Sequence, residues 1–198
     1  MSPDDVLDFW LGAPATDAAA FAAKLKRWFQ RHPALDDEIG ARFGGLRDQA
    51  MIGALDGWVA TPRGRRALIV LLDQFTRNLH RDTARAYEAD PKALALALAG
   101  LDAGEARGLD FEATMFLVMP LAHAEDVALQ RRYLAAVEAA AASAPPALAS
   151  GYARAVDHAR GYLDTIARFG RFPHRNALLG RPSTPDELTF LATPSTNG

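Results

Sequence analysis

The chain has 198 residues, with 22 Lys or Arg against 24 Asp or Glu for a formal charge of −2, 49% apolar residues and no cysteine. A chain of this length buries about 70% of its unfolded surface and needs no staples; the missing thiols exclude a disulfide framework, a thiolate zinc site, an iron–sulfur cluster and a cysteine nucleophile. The near-neutral balance speaks against a nucleic-acid binder, the acidic start Ser2-Pro3-Asp4-Asp5 lacks a signal peptide's basic region, and no apolar run approaches the ~18 residues of a membrane span, so a cytoplasmic protein with no nucleic-acid or membrane partner is expected.

Alanine makes up about a fifth of the chain, a composition that favours helix, and an all-α fold is predicted. Ser2 caps a short first helix through Trp10, with Pro3 in its first turn and Gly12 as its stop; Asp17 caps a second, whose apolar positions Phe21, Leu25, Trp28 and Phe29 repeat at helical spacing. Gly44-Gly45 divides the next stretch into two predicted helices, Pro33 to Phe43 and Leu46 to Trp58. Thr61-Pro62 repeats the cap-plus-proline start, so the unbroken apolar run Leu68-Ile69-Val70-Leu71-Leu72 is assigned to a buried helix rather than a buried strand. Further helices are expected from Asp90-Pro91 to Leu101, from Phe111 to a stop at Pro120, from about Ala122 to Ala142 as the longest, and from beyond Pro145-Pro146 to Phe169. Thr184-Pro185-Asp186-Glu187 is a capping box for a terminal helix. No strict 34-residue repeat is present, so an irregular superhelix of helical hairpins is expected, as one domain over residues 1–193 with a frayed tail over 194–198.

Three stretches place polar groups next to core. In Leu72-Asp73-Gln74-Phe75-Thr76-Arg77-Asn78-Leu79-His80-Arg81, Asp73 with Arg77 and Gln74 with Asn78 stand four apart; the cluster either ends a buried helix or turns Arg77, Asn78 and Arg81 toward an anion. In Pro120 to Asp126 with Gln130, a helix at about 100° per residue puts His123, Asp126 and Gln130 on the stripe continued by Leu134, Val137 and Ala141. Such groups need partners from other helices, water or a ligand. His123, Glu125 and Asp126 are potential metal ligands, but only His123 and Asp126 would share a face and no second histidine follows at helical spacing, so no metal or other cofactor is expected. The third stretch, Arg168 to Asn176 and on to Gly180-Arg181, alternates arginines with aromatics. Residues 154–181 hold six arginines against two aspartates and residues 98–130 six acids against one arginine, opposite fields that either dock on each other or flank a cleft.

Leu72 to Asn78, Pro120 to Asp126 with Gln130, and Arg168 to Asn176 with Leu179-Gly180-Arg181 together resemble the signatures of the bacterial domain of unknown function family 924. Leu7-Asp8-Phe9-Trp10, Trp28-Phe29 and Leu55-Asp56-Gly57-Trp58 fit the same pattern, extending the resemblance over nearly the whole chain. It implies a tetratricopeptide-like helical fold and brings no assigned activity. Thr76 stands where the family usually has proline, which lets the buried helix run on by a turn; Ala124 stands where serine is common, which removes a hydroxyl that a nucleophile would need.

The preferred reading is a binding module whose concave side holds a small anionic or polar ligand or a peptide end, with Asp73, Arg77, Asn78, Arg81, His123, Asp126, Gln130, Arg171, His174, Arg175 and Asn176 as candidate binding residues. A hydrolase or lyase using His123 as general base oriented by Asp126 is the enzymatic alternative. A satisfied interior polar network with no ligand is the structural one. Oligomeric state is not legible in the residues.

Overall fold

The structure is a computed structural model that describes residues 1–193, and among these every regular element is helical. The predicted frayed tail, 194–198, lies outside the described residues. Ten α-helices follow in order: α1 (Pro3–Trp10), α2 (Ala18–Phe29), α3 (Pro33–Met51), α4 (Pro62–Ile69), α5 (Thr76–Leu79), α6 (Asp90–Asp102), α7 (Phe111–Ala122), α8 (Val127–Ala141), α9 (Ala149–Phe169) and α10 (Pro185–Ala192). Short 3₁₀ turns lie at Asp56–Ala60, Ala84–Tyr87 and Pro173–Arg175. No helix of the described residues is long and apolar enough to cross a membrane.

Most helix starts form where local chemistry dictates. Ser2 and Asp5 make a reciprocal capping box, Asp17 accepts from the Ala20 amide, Thr61 from the Gly64 amide, and Thr184 and Glu187 form a second box. Gly64 also admits a close approach, because a Cβ there would sit 2.0 Å from the Trp58 carbonyl oxygen.

Four expected boundaries move, the helix expected to reach Trp58 ending at Met51 with Trp58 in a 3₁₀ turn. Gly44-Gly45 does not break the chain: α3 runs through both glycines, held by Phe43 and Arg47, which are buried on either side of the pair. Glycines in a helix interior cost about 1 kcal/mol each, less than the packing of such anchors contributes. Pro120 lies inside α7, which ends two residues later, so the proline marks the last turn rather than the stop. The helix expected from Ala122 therefore starts only at Val127 and has 15 residues, while α9, with 21, is the longest.

The core gathers around the run after Pro62. Leu68, Ile69, Val70, Leu71, Leu72 and Phe75 are fully buried, and α4 passes through a π-helical stretch, Val70–Phe75, into α5. Trp10 and Phe43 pack on Phe75 from α1 and α3, and Phe116 of α7 packs on Trp10 and Trp28. Every residue of α7 is buried, as expected for an element that is apolar apart from Thr114 and from Glu112, which pairs with Lys24. α7, α8 and α9 pack in succession as helical hairpins.

Candidate functional site

The π-helical stretch places charge inside the core. A π turn widens the helix locally and is frequent at functional sites; here it carries Asp73, whose side chain is 0% exposed. Its carboxylate is met by three side chains. Arg77 Nη1 donates to Oδ1 at 3.1 Å and to the Asp73 carbonyl at 2.7 Å, Gln74 Nε2 donates to Oδ2 at 2.5 Å, and His123 Nδ1 lies 2.7 Å from Oδ1. Burial alone would push the Asp73 carboxyl up. The His123 cation present at acid pH, the Arg77 charge and these hydrogen bonds outweigh it and hold the carboxyl at about 2.

Because Asp73 is ionised at neutral pH, the hydrogen bond assigns the proton to His123 Nδ1. Burial first, then the Arg77 charge, keep the imidazole below its ordinary range against the pull of Asp73. His123 is therefore neutral at pH 7, with its Nε2 carrying the lone pair. Its position follows from the chain: α7 ends at Ala122, and His123 is the C-cap residue at the head of the turn to α8.

The ring lines a cleft of about 460 Å³. Arg77, Arg81, Arg175 and His174 share its wall, with Tyr87, Tyr162, Phe29 and Phe172 supplying aromatic surface and Arg31 and Asp82 the rim. Arg81 is held bidentately by Asp36, Nε to Oδ2 at 2.7 Å and Nη2 to Oδ1 at 3.1 Å, and Arg77 Nη2 reaches Asp90 at 3.0 Å. Arg31 pairs with Asp82, a residue in the left-handed region at φ 60°. Four arginines thus face four aspartates across or behind the cleft, and the site offers donors rather than excess charge.

Arg175 differs from the others. It is 6% exposed, and its guanidinium stacks between the Tyr87 and Phe172 rings at 4.7 and 4.6 Å from their centroids. Nη1 donates to the His123 carbonyl at 3.0 Å and lies 3.7 Å from Asp90, whereas Nε is buried without an acceptor among the described residues. A buried donor left unmet costs about 1–3 kcal/mol.

The three polar stretches do meet, but not through all the expected residues. Asp73, Arg77, Arg81, His123, His174 and Arg175 converge on the cleft or directly behind it. Asn78 sits deeper, its amide donating to Asp36 at 2.7 Å. The expected pairing of His123 with Asp126 does not form: the chain leaves the helix between them, and Asp126 is exposed and spends its carboxylate on the Leu129 amide as N-cap of α8. Gln130 is buried away from the cleft, its amide donating to the carbonyls of Leu121, Ala122 and Ala124 at the end of α7. Arg171 and Asn176 belong to a latch beside the site. Arg171 grips Glu187 at 2.6 and 2.8 Å, and Asn176 donates to Ser183 and Glu187 and accepts from Arg181. Arg181 in turn grips Glu125, which also accepts from the Phe172 amide at 2.8 Å. Glu125 alone of the acidic stretch thus docks on the basic one, while Asp102, Glu105 and Glu112 pair with Arg132, Arg65 and Lys24 elsewhere. His123, Glu125 and Asp126, weighed as metal ligands, point to three different partners.

Sequence reasoning missed Tyr87, Tyr162, Asp36 and Asp90. Asp36 and Asp90 read as ordinary first-turn acids of α3 and α6, and only the fold turns them toward Arg81 and Arg77. Nothing local distinguishes the two tyrosines.

Comparison with known proteins agrees over the whole of this architecture. The chain is similar to a solved structure of a protein of unknown function, ATU0120 from Agrobacterium tumefaciens, with 33% identity, 96% of each chain covered and a TM-score of 0.77. No curated protein matches it. A family model described as "Bacterial protein of unknown function (DUF924)" matches residues 6–195, and the chain belongs to that family.

Proposed function

We propose that the cleft binds a small carboxylate-bearing molecule or the carboxyl end of a peptide. The observation that carries this reading is Arg175: a buried guanidinium on the cleft wall, oriented by two aromatic rings, with one donor unmet. Guanidinium forks match carboxylates and phosphates alike. The balance of four arginines by Asp36, Asp73, Asp82 and Asp90 favours carboxylates, with one charge per group, over the concentrated charge of a phosphate dianion, and the rings of Phe29, Tyr87, Tyr162 and Phe172 favour an apolar body or chain attached to them.

The test is thermal shift and calorimetry with benzoate, glutarate, and a hydrophobic tripeptide with free or amidated C-terminus. A ligand at 100 times its Kd stabilises by about 2.7 kcal/mol, which raises the melting temperature of a chain this size by roughly 5–10 °C. Carboxylates should raise it, the amidated peptide should not, and Arg175→Lys, which keeps the charge but loses the fork, should weaken binding. If no carboxylate moves the melting temperature at millimolar concentration, the reading fails.

A further inference from the structure

We propose that His123 is a general base that activates water to hydrolyse an ester within the carboxylate-bearing ligand, oriented by Asp73. The inference rests on the binding reading above and adds a reaction to it. Its foundation is geometric. A buried carboxylate grips Nδ1 of an imidazole at 2.7 Å, fixing both tautomer and ring plane, and the same imidazole lines an arginine-walled cleft with its other nitrogen free of any protein partner among the described residues. A buried carboxylate that orients a histidine whose far nitrogen faces a binding cleft is the arrangement that proton transfer requires. A purely structural histidine has no need for the open side.

The groups around the ring favour that role from each element packed against it. Asp73 and Arg77 approach from the π-helical stretch and α5, Asp90 from the start of α6, His174 and Arg175 from the Pro173–Arg175 turn, and Tyr162 from α9. Partial burial, and then the Arg77 charge, disfavour the imidazolium, which keeps Nε2 unprotonated and able to accept a proton at neutral pH; Asp73 stabilises the cation once it forms during the reaction.

The step balances with water as co-reactant. A water donates its proton to His123 Nε2 while its oxygen bonds to the ester carbonyl carbon, and the carbonyl electron pair becomes an oxyanion beside the guanidinium wall. Collapse of this adduct breaks the carbon–oxygen bond, and the departing alkoxide takes the proton back from the imidazolium. One water is consumed, and an acid and an alcohol are released. The arginines contribute electrostatic stabilisation of the developing charge.

The experiment uses mono-4-nitrophenyl glutarate as the anionic ester, 4-nitrophenyl acetate as the neutral one, and glutarate as the non-reacting ligand. Saturable cleavage of the anionic ester above buffer, competition by glutarate, and a rate that rises with pH through an inflection below 6.5 are expected. His123→Gln should lower kcat/KM by about 100-fold or more while glutarate binding persists, and Asp73→Asn should shift the pH profile. As a readout independent of any variant's folding, carbethoxylation of His123 by diethyl pyrocarbonate, followed by mass spectrometry, should titrate below 6.5 and be slowed by glutarate. Glutarate binding with no ester turnover, with turnover unaltered in His123→Gln, or with His123 inert to the reagent would overturn the inference and leave the binding reading standing. Absence of both binding and turnover would overturn both.

Discussion

Replacing Asp73 by Asn keeps the volume and removes the charge on which the interior of the site depends. The carboxylate is fully buried, and its native carboxyl sits at about 2 against 3.8 in the unfolded chain. At about 1.4 kcal/mol per unit, this difference corresponds to about 2 kcal/mol of stability at neutral pH. Breaking a buried ion pair costs about 3–5 kcal/mol, but here Arg77 keeps Asp90 at 3.0 Å as a second partner. We therefore expect Asp73→Asn to lose about 2–4 kcal/mol, with a fall in melting temperature of roughly 5–15 °C. Urea unfolding of both proteins across a pH series adds the sign. Because the native pKa is depressed, the stabilisation is fully present above the unfolded value near 4 and disappears as pH falls through about 2. Because Asp73 also favours the His123 cation, the gap between wild type and variant should widen as pH falls below 6.5 through the histidine range and close only as pH falls from about 4 through about 2. A variant within about 0.5 kcal/mol of wild type, well inside the range of ordinary surface substitutions, or a gap that narrows between pH 6.5 and 4, would refute this account of the dyad.

The histidines of the cleft set the first acid-sensitive region: desolvation lowers both the part-buried His123 and the more exposed His174, the latter to about 4 with help from Arg175, so the unfolded chain takes up protons that the native chain resists. Stability measured by urea should fall as pH drops below about 6.5, and His123→Gln should flatten part of that slope. Gly64→Ala should destabilise by about 2 kcal/mol or more, because the new methyl meets the Trp58 carbonyl at 2.0 Å and backbone must yield; calorimetry reads the change, and a neutral result would contradict the close approach. Glu187→Gln should loosen the latch held by Arg171 and Asn176, seen as faster tryptic cleavage after Arg171 and faster amide exchange over residues 170–183.

Features specified by neighbouring residues were readable in the sequence. Ser2, Asp17, Thr61 and Thr184 cap helices because a side-chain oxygen within three residues of an unpaired amide needs no tertiary help. The strand alternative for Leu68 to Leu72 was likewise settled by the local Thr61-Pro62 start. Breaks were harder to read, because whether Gly44-Gly45 or Pro120 ends a helix depends on what the flanking residues bury against. The Pro120 misreading carried into the site: a helix continued through His123 to Gln130 puts His123 and Asp126 on one stripe, whereas the real turn at 123–126 sends His123 to Asp73 and leaves Asp126 at the surface. The convergence of the three polar stretches was legible, since hydrophilic groups on core-facing positions must find partners. Which of them line the cleft was not, because Arg171, Asn176 and Gln130 are chemically as suited to a ligand as Arg175. Only the fold supplies them with Glu187, Ser183 and the α7 carbonyls instead.

The central claim, that a carboxylate enters the cleft between Arg175 and a basic His123, is tested most directly by long-range proton–nitrogen NMR of the labelled protein at pH 7.5. The account predicts that His123 carries its proton on Nδ1, and that adding glutarate moves its Nε2 and the Arg175 Nε resonances together and saturably. A proton found on Nε2, or two resonances that stay fixed at millimolar glutarate, would contradict it.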